Sequence, residues 1–197
     1  MQAARGASLS DADGTDETDT STPTVRRPQA RLLFVTVAVA LLAVDQLTKV
    51  WAVASLTPGH PQEVVGSLLR LDLTRNPGAA FSTGTSHTGF FTALAIVAAI
   101  VTIYFAMRAA SRAWGVALGF LFAGIVGNLV DRVAREPRSF HGHVVDFLEL
   151  PHWPIFNVAD TCITVAAVLI LVLAYRGVRL GGDAARPDVT DGEEGHR

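Results

Sequence analysis

The run Leu32-Leu-Phe-Val-Thr-Val-Ala-Val-Ala-Leu-Leu-Ala-Val-Asp45-Gln-Leu-Thr-Lys49-Val-Trp-Ala-Val53 decides the architecture. A bilayer crossing takes about 20 apolar residues, and this run supplies them. Yet it carries an aspartate and a lysine one helical turn apart. Arg26-Arg27 ahead of it and Ala52-Val53-Ala54 at its end resemble the flanks of a secretory leader. The run is too long for a leader's apolar segment, and Asp45 and Lys49 interrupt it, so a retained transmembrane helix is expected. Three more apolar runs follow, at residues 90–107, 114–130 and 155–175. The third is glycine-rich, with Gly115 and Gly119 four apart, and likewise Ala123 and Gly127. That spacing either lets helices approach closely or reflects how common small residues are in membrane helices.

Composition agrees with four spans. Of 197 residues, 50 % are hydrophobic and 17 % charged, where soluble domains average about 25 % charged. The mean hydropathy is +0.36. The net charge of −2 says little, because acids gather at the ends: Asp11, Asp13, Asp16, Glu17 and Asp19 at one, Asp183, Asp188, Asp191, Glu193 and Glu194 at the other. The middle keeps only Asp45, Glu63, Asp72, Asp131, Glu136, Asp146, Glu149 and Asp160, too few to cover a soluble surface. An ordinary soluble enzyme is thereby excluded. The lone cysteine, Cys162, excludes an internal disulfide framework and a multi-cysteine zinc site, and reads as packing in an apolar span. No basic patch is interleaved with aromatics, so no nucleic-acid partner is expected. Residues 1–30 and 178–197 lack the large apolar side chains that would offset ordering entropy and are expected to be disordered. Residues 31–177 form the membrane domain.

With four spans both termini share one side. Arg26, Arg27, Arg31, Arg108, Arg112, Arg176 and Arg179 flank that side; Lys49, Arg70, Arg75, Arg132, Arg135 and Arg138 flank the other. The excess of arginine places both termini in the cytoplasm. The longer loops, 54–89 and 132–154, then face outward. Residues 64–74 alternate over their second half as a strand does, between turn signals at Pro58-Gly59 and Asn76-Pro77-Gly78. The expected fold is an all-α membrane protein of four transmembrane helices with a small extracytoplasmic β element. An interfacial helix is the alternative for that segment.

Ionisable residues at membrane depth are costly and usually face the bundle interior. Asp45 and Lys49 share a helical face and can pair, with the lysine snorkelling to the interface. Asn128 and Asp131 stand i, i+3 near the outer end of the third span, where Arg132 can satisfy a carboxylate. Asn157 and Asp160 repeat that spacing at the start of the fourth. Capping suits either of them but does not by itself require both. Asp146 lies in apolar Val144-Val145-Asp146-Phe147. Topology brings Asp45, Asp131, Asp146 and Asp160 toward one membrane face. Close carboxylates share a proton, so one can act as base and the other as acid, without metal or cofactor. From the residues alone, Asp131 and Asp146 are equal candidates for the second member of such a pair. His141, His143 and His152 cluster beside Asp146 and Glu149 and could chelate a metal, but no motif places two on one helix turn, so they read as surface histidines.

Five segments in this order resemble the lipoprotein signal peptidases (signal peptidase II): Asp45-Gln46-Leu47-Thr48-Lys49, Asn76-Pro77-Gly78-Ala79-Ala80-Phe81-Ser82, Gly127-Asn128-Leu129-Val130-Asp131-Arg132, Val144-Val145-Asp146-Phe147 and Phe156-Asn157-Val158-Ala159-Asp160. The resemblance implies an aspartic endopeptidase of the bacterial cytoplasmic membrane. Its substrate is a prolipoprotein whose lipobox cysteine carries diacylglycerol, and it cuts before that cysteine. The catalytic aspartates map to Asp146 and Asp160. Asp45, Lys49, Asn76, Gly78, Asn128, Asp131, Arg132 and Asn157 map to supporting or substrate-binding positions, with Asp131 a partner of Arg132. Small residues around Asn76 to Ser82 would let an extended peptide approach. Ala123-Gly124-Ile125-Val126 departs from the Gly-Gly-Ala usual before Gly-Asn, and the spacer from Asp131 to Asp146 is longer than usual. No metal or cofactor is implied. The expected partners are the lipid-modified precursor and membrane lipid, with the enzyme a monomer and its site toward the outer face. The competing reading is a small proton-coupled transporter using the same carboxylates, but no internal repeat or paired broken helices accompany them. A non-catalytic assembly factor would not need two Asn-x-x-Asp pairs.

Overall fold

The structure, a computed structural model, describes residues 27–78, 88–137 and 140–181. Four helices carry the chain, α1 (Arg27–Ser55), α2 (Thr88–Arg108), α3 (Arg112–Ala134) and α4 (Val158–Tyr175); three strands, β1 (Gln62–Val65), β2 (Leu69–Asn76) and β3 (Val144–Glu149), form one sheet. All four helices are long and apolar enough to cross a membrane. Helix α1 starts at Arg27, inside the segment expected to be disordered. Pro28 suits a first helical turn, where the missing N–H has no partner to lose. The remainder of that segment, 1–26, and residues 182–197 lie outside the described residues.

The helices bury small and polar side chains and turn large apolar ones outward. The buried positions of α1 are Ala30, Ala38, Asp45, Lys49 and Ala52, and those of α2 are Thr88, Thr92, Ala99, Thr102 and Ala106. Leu32, Leu47, Phe90, Ile100 and Leu171 are exposed. Lipid accounts for this inversion: hydrocarbon tails are as apolar as leucine, so helices associate by close backbone packing and hydrogen bonds instead.

Helix α3 is central and packs against α1, α2 and α4. Its glycines make that possible. A Cβ on Gly115 would meet the Ala30 carbonyl, one on Gly119 would lie 2.9 Å from Val37 Cβ, and one on Gly124 would lie 2.5 Å from the Ala159 carbonyl oxygen. The small-residue spacing is therefore a packing requirement.

The sheet is antiparallel, in the order β1-β2-β3. The alternation at 64–74, expected as one strand, is divided between two. The chain reverses through Gly66, whose φ of +50° suits glycine, and returns as β2. Strand β3 was not expected. Its register sets Thr74 opposite Asp146 and Asn76 opposite Val144. Leu56, Leu73, Val145 and Phe147 close on Ala52 and seat the sheet on the end of α1.

At the other end of the bundle the chain after α4 folds back. Ala110 N–H donates to the Leu180 carbonyl at 2.8 Å, and Trp114 Nε1–H to the Val178 carbonyl at 2.8 Å. Residues 178–181, expected to belong to a disordered tail, thus close the base of the fold.

Gly124→Val tests the packing requirement. Overpacking costs about 1–3 kcal/mol, so the variant should unfold at a lower temperature in detergent, whereas lipid-facing Val168→Leu should not.

Candidate active site

The polar residues of five elements, α1, β2, α3, β3 and α4, meet beneath the sheet, where α1 and α3 end and α4 begins. Lys49 lies at their centre with no exposed surface. Its ammonium donates to Asp131 Oδ2 at 2.8 Å, Asp45 Oδ2 at 3.0 Å and Asn128 Oδ1 at 3.0 Å. An ammonium has three protons, and all three are used. The expected pair with Asp45 forms. The expected snorkelling does not, because α3 supplies two more acceptors inside the bundle.

Each partner of Lys49 reaches a further element. Asp45 Oδ1 accepts from Ala159 N–H in the first turn of α4 at 2.9 Å, and its Oδ2 accepts from Gln46 Nε2 at 2.9 Å. Gln46 also donates to the Gly127 carbonyl at 3.1 Å. A Cβ on Gly127 would lie 2.5 Å from Asp45 Oδ2, so this glycine makes room for the carboxylate. Asp131 Oδ2 accepts from Val145 N–H of β3 at 3.2 Å, and Oδ1 from Arg135 Nε at 2.6 Å. The expected Asp131–Arg132 pair is not made. Adjacent helical residues do not face each other, whereas i, i+4 residues do, and Arg135 occupies that place. Arg132 instead donates weakly to the Asn128 carbonyl at 3.4 Å. Its buried Nε has no hydrogen-bond partner among the described residues.

Two asparagines carry the network to Asp146 and Asp160. Asn157 caps α4: its side chain accepts from Asp160 N–H at 2.9 Å, and Asp160 Oδ2 accepts from Asn157 N–H at 3.3 Å. This reciprocal capping box does require both residues, contrary to the sequence-based expectation. It leaves the other atoms of each side chain for the site. Asn157 Nδ2 donates to Asp146 Oδ1 at 2.6 Å and to Asn128 Oδ1 at 3.1 Å. Asn128 Nδ2 donates to Asp160 Oδ1 at 2.8 Å. Asn76, at the end of β2, donates to Asp146 Oδ2 at 3.1 Å. Gly78 N–H in turn donates to Asn76 Oδ1 at 2.9 Å; its φ of +115° suits glycine. Gly78 thus positions Asn76. Residues 79–82, expected to line a peptide path, lie outside the described residues.

Asp146 is 2 % exposed. Burial, helped by the negative charge of Asp160, pushes its carboxyl up to about 7; the bonds from Asn76 and Asn157 and the charge of Lys49 oppose the shift. Each of the two carboxyls borders its own cleft. One, of about 280 Å³, is lined by Thr74, Asn76, Asp146, Pro154 and Ile155 among others. The second, of about 190 Å³, is lined by Trp153, Phe156, Asp160, Thr161 and Thr164. His141 and His152 are exposed and His143 half-buried. Cys162 is buried in α4.

Hydrogen bonds join all eight supporting positions and both candidate catalytic aspartates into one network, in which Asp146 and Asp160 are linked through Asn157 rather than directly. Gln46, Arg135 and Gly127 belong to the site and were not singled out as members. Arg135 stands i, i+4 from Asp131, a spacing that could have found it.

Four membrane-length helices enclosing a satisfied buried charge cluster, with two clefts opening on its carboxyls, define a membrane-embedded enzyme. Two solved structures, each titled a bacterial membrane enzyme, share the fold: one at 29 % identity with a TM-score of 0.66, covering 78 % of this chain and 94 % of that one, the other at 31 % with a TM-score of 0.64, covering 72 % and 91 %. Residues 37–176 match the family model described as signal peptidase (SPase) II, and the chain belongs to that family. Among curated relatives it is similar to the lipoprotein signal peptidases of Rhodococcus jostii (41 % identity, 87 % of this chain and 88 % of that protein), Mycobacterium avium (41 %, 82 % and 89 %) and Mycobacterium tuberculosis (40 %, 79 % and 77 %).

Removing one member of a buried ion pair strands the other charge, at a cost of about 3–5 kcal/mol. Lys49→Met should therefore sharply lower the unfolding temperature in detergent. Asp131→Asn should also lower it.

Proposed function

We propose that the chain is an aspartic endopeptidase that removes signal peptides from prolipoproteins, with Asp146 and Asp160 as its catalytic pair. The bond cut is the one before the diacylglyceryl-modified lipobox cysteine. The observation that carries this reading is the Asp146 carboxyl, buried beside the charge of Asp160 and held to it through Asn157. Such a pair keeps one proton between two carboxyls.

In the proposed reaction, the ionised carboxyl takes a proton from a water whose oxygen attacks the scissile carbonyl carbon. The protonated carboxyl gives its proton to the carbonyl oxygen. The tetrahedral diol then collapses, the carbon–nitrogen bond breaks, and the cysteine amine leaves with a proton from the pair. The buried Nε–H of Arg132, coupled electrostatically to both aspartates, is available to a substrate carbonyl. The extended precursor lies across the two clefts, so that its scissile bond meets both carboxyls. Asp45, Lys49, Asn76, Gly78, Asn128, Asp131 and Asn157 hold these groups in place.

The termini lie in the cytoplasm and the site toward the outer face of the bacterial cytoplasmic membrane. Arginine distribution supports this orientation. Lys49, Arg70 and Arg135 at the site end are each paired with an acid. The opposite end carries Arg27, Arg31, Arg108, Arg112, Arg176 and Arg179. Residues 27–181 constitute the peptidase domain, wider at both ends than the 31–177 expected from sequence, and the enzyme works as a monomer without cofactor.

Asp146→Asn and Asp160→Asn should each lower cleavage of a lipidated precursor peptide by about 10³-fold or more, given the size of general acid–base effects, with unfolding temperature kept near wild type. Cleavage at the wild-type rate by either purified variant would sink the assignment. A transporter would instead show proton-coupled flux in vesicles without cleavage.

The shared proton gives a pH signature. Above a midpoint near 7, Asp146 loses it. The cleavage rate should then fall about tenfold per unit well above that midpoint. An initial-rate profile between pH 5 and pH 9 checks this.

A further inference from the structure

Far from the site, α2, α3, Ile170 of α4 and the segment after α4 enclose an apolar groove of about 420 Å³. Val101 and Phe105 form one wall, Trp114, Leu118 and Leu121 the second, and Leu180 lies at the end. The one hydroxyl in the lining, on Thr102, is already committed to the Ala98 carbonyl at 2.7 Å. The groove is preformed, because its end is fixed by the bonds from Ala110 N–H to Leu180 and from the Trp114 indole to Val178.

A cation stands one helical turn beyond the lining of α2. Arg108 follows Phe105 by three residues and Val101 by seven, so it stands on the groove face of α2. Its guanidinium lies 4.1 Å from the Tyr104 ring centroid, and no acidic side chain pairs with it among the described residues. Every acid of the described chain belongs to the other half of the molecule.

We propose that this groove is a binding site for an anionic phospholipid of the leaflet nearer the termini, with an acyl chain between α2 and α3 and the phosphate at Arg108. An anionic lipid supplies both an apolar chain and the missing negative charge. The acidic C-terminal segment supplies charge only: residues 182–197 contain one large aliphatic side chain, Val189, and cannot fill the groove.

The test uses the full-length protein purified in a neutral detergent. Its unfolding temperature is followed while phosphatidylglycerol, or phosphatidylcholine of the same acyl chains, is titrated in. The expected result is a saturable rise with phosphatidylglycerol at least tenfold more potent than with phosphatidylcholine. Arg108→Gln should abolish that preference. Leu121→Trp, which fills the groove, should abolish saturable binding of either lipid. Both variants should keep wild-type cleavage activity. Equal potency of the two lipids overturns the proposal, and so does a phosphatidylglycerol preference that survives Arg108→Gln. If Leu121→Trp does not fold, Leu118→Ala, which widens the groove, should weaken the preferred lipid at least threefold; an unchanged potency overturns the site.

Discussion

The ammonium of Lys49, fully enclosed and fully hydrogen-bonded, is the interaction on which the rest of the molecule depends. A buried charge away from water is tolerable only when every proton has an acceptor. Satisfying it here requires α1 to provide Asp45 and α3 to provide Asp131 and Asn128 at one point. Those carboxylates then have oxygens left over, and each takes a backbone N–H from another element: Ala159 of α4 and Val145 of β3. One cation thereby sets the mutual placement of two helices directly and of a third helix and the sheet at one remove. Hydrophobic association cannot do this between helices in lipid, so directional polar contacts do.

The same arrangement separates charge neutralisation from the proposed catalytic pair. Lys49 is matched with Asp45 and Asp131, and only neutral amides pass onward, from Asn128 to Asp160 and from Asn157 to Asp146. Direct contact between an ammonium and Asp146 would favour the ionised carboxylate and expel the proton that the proposed mechanism requires. An amide donor fixes the geometry with a weaker pull on the proton. The asparagines thus hold the carboxyl pair in position while leaving its burial to dominate.

Much of this was legible in the sequence. Four apolar runs mark the helices, and Asp45, Lys49, Asn128 and Asn157 stand out because polar groups inside such runs need partners. Helical spacing was informative where one turn separates two residues, as in Asp45 with Lys49, and misleading where adjacency was taken for contact, as in Asp131 with Arg132. Strand β3 was hidden because Val144-Val145-Asp146-Phe147 is buried on both faces: it packs on α1 through Val145 and Phe147 and carries Asp146 inward, so no alternation survives to mark it. The depth of Lys49 was illegible too, since snorkelling and burial differ only in what the neighbouring helix offers. Gly127 needed the third dimension, because its role is to leave space for a carboxylate from another helix.

The fold-back after α4 has a mechanical side. Helix α4 is 18 residues long, about 27 Å at 1.5 Å per residue. At its start Asn157 and Asp160 are bound into the polar network; beyond its end Val178 is tied to the first turn of α3 and Leu180 to the turn that precedes it. A rod secured at one end can slide or pivot, but one secured at both has lost its axial freedom. Helix α4 is thus held at both ends, at its start by the bonds of Asn157 and Asp160 and beyond its end by those of Val178 and Leu180.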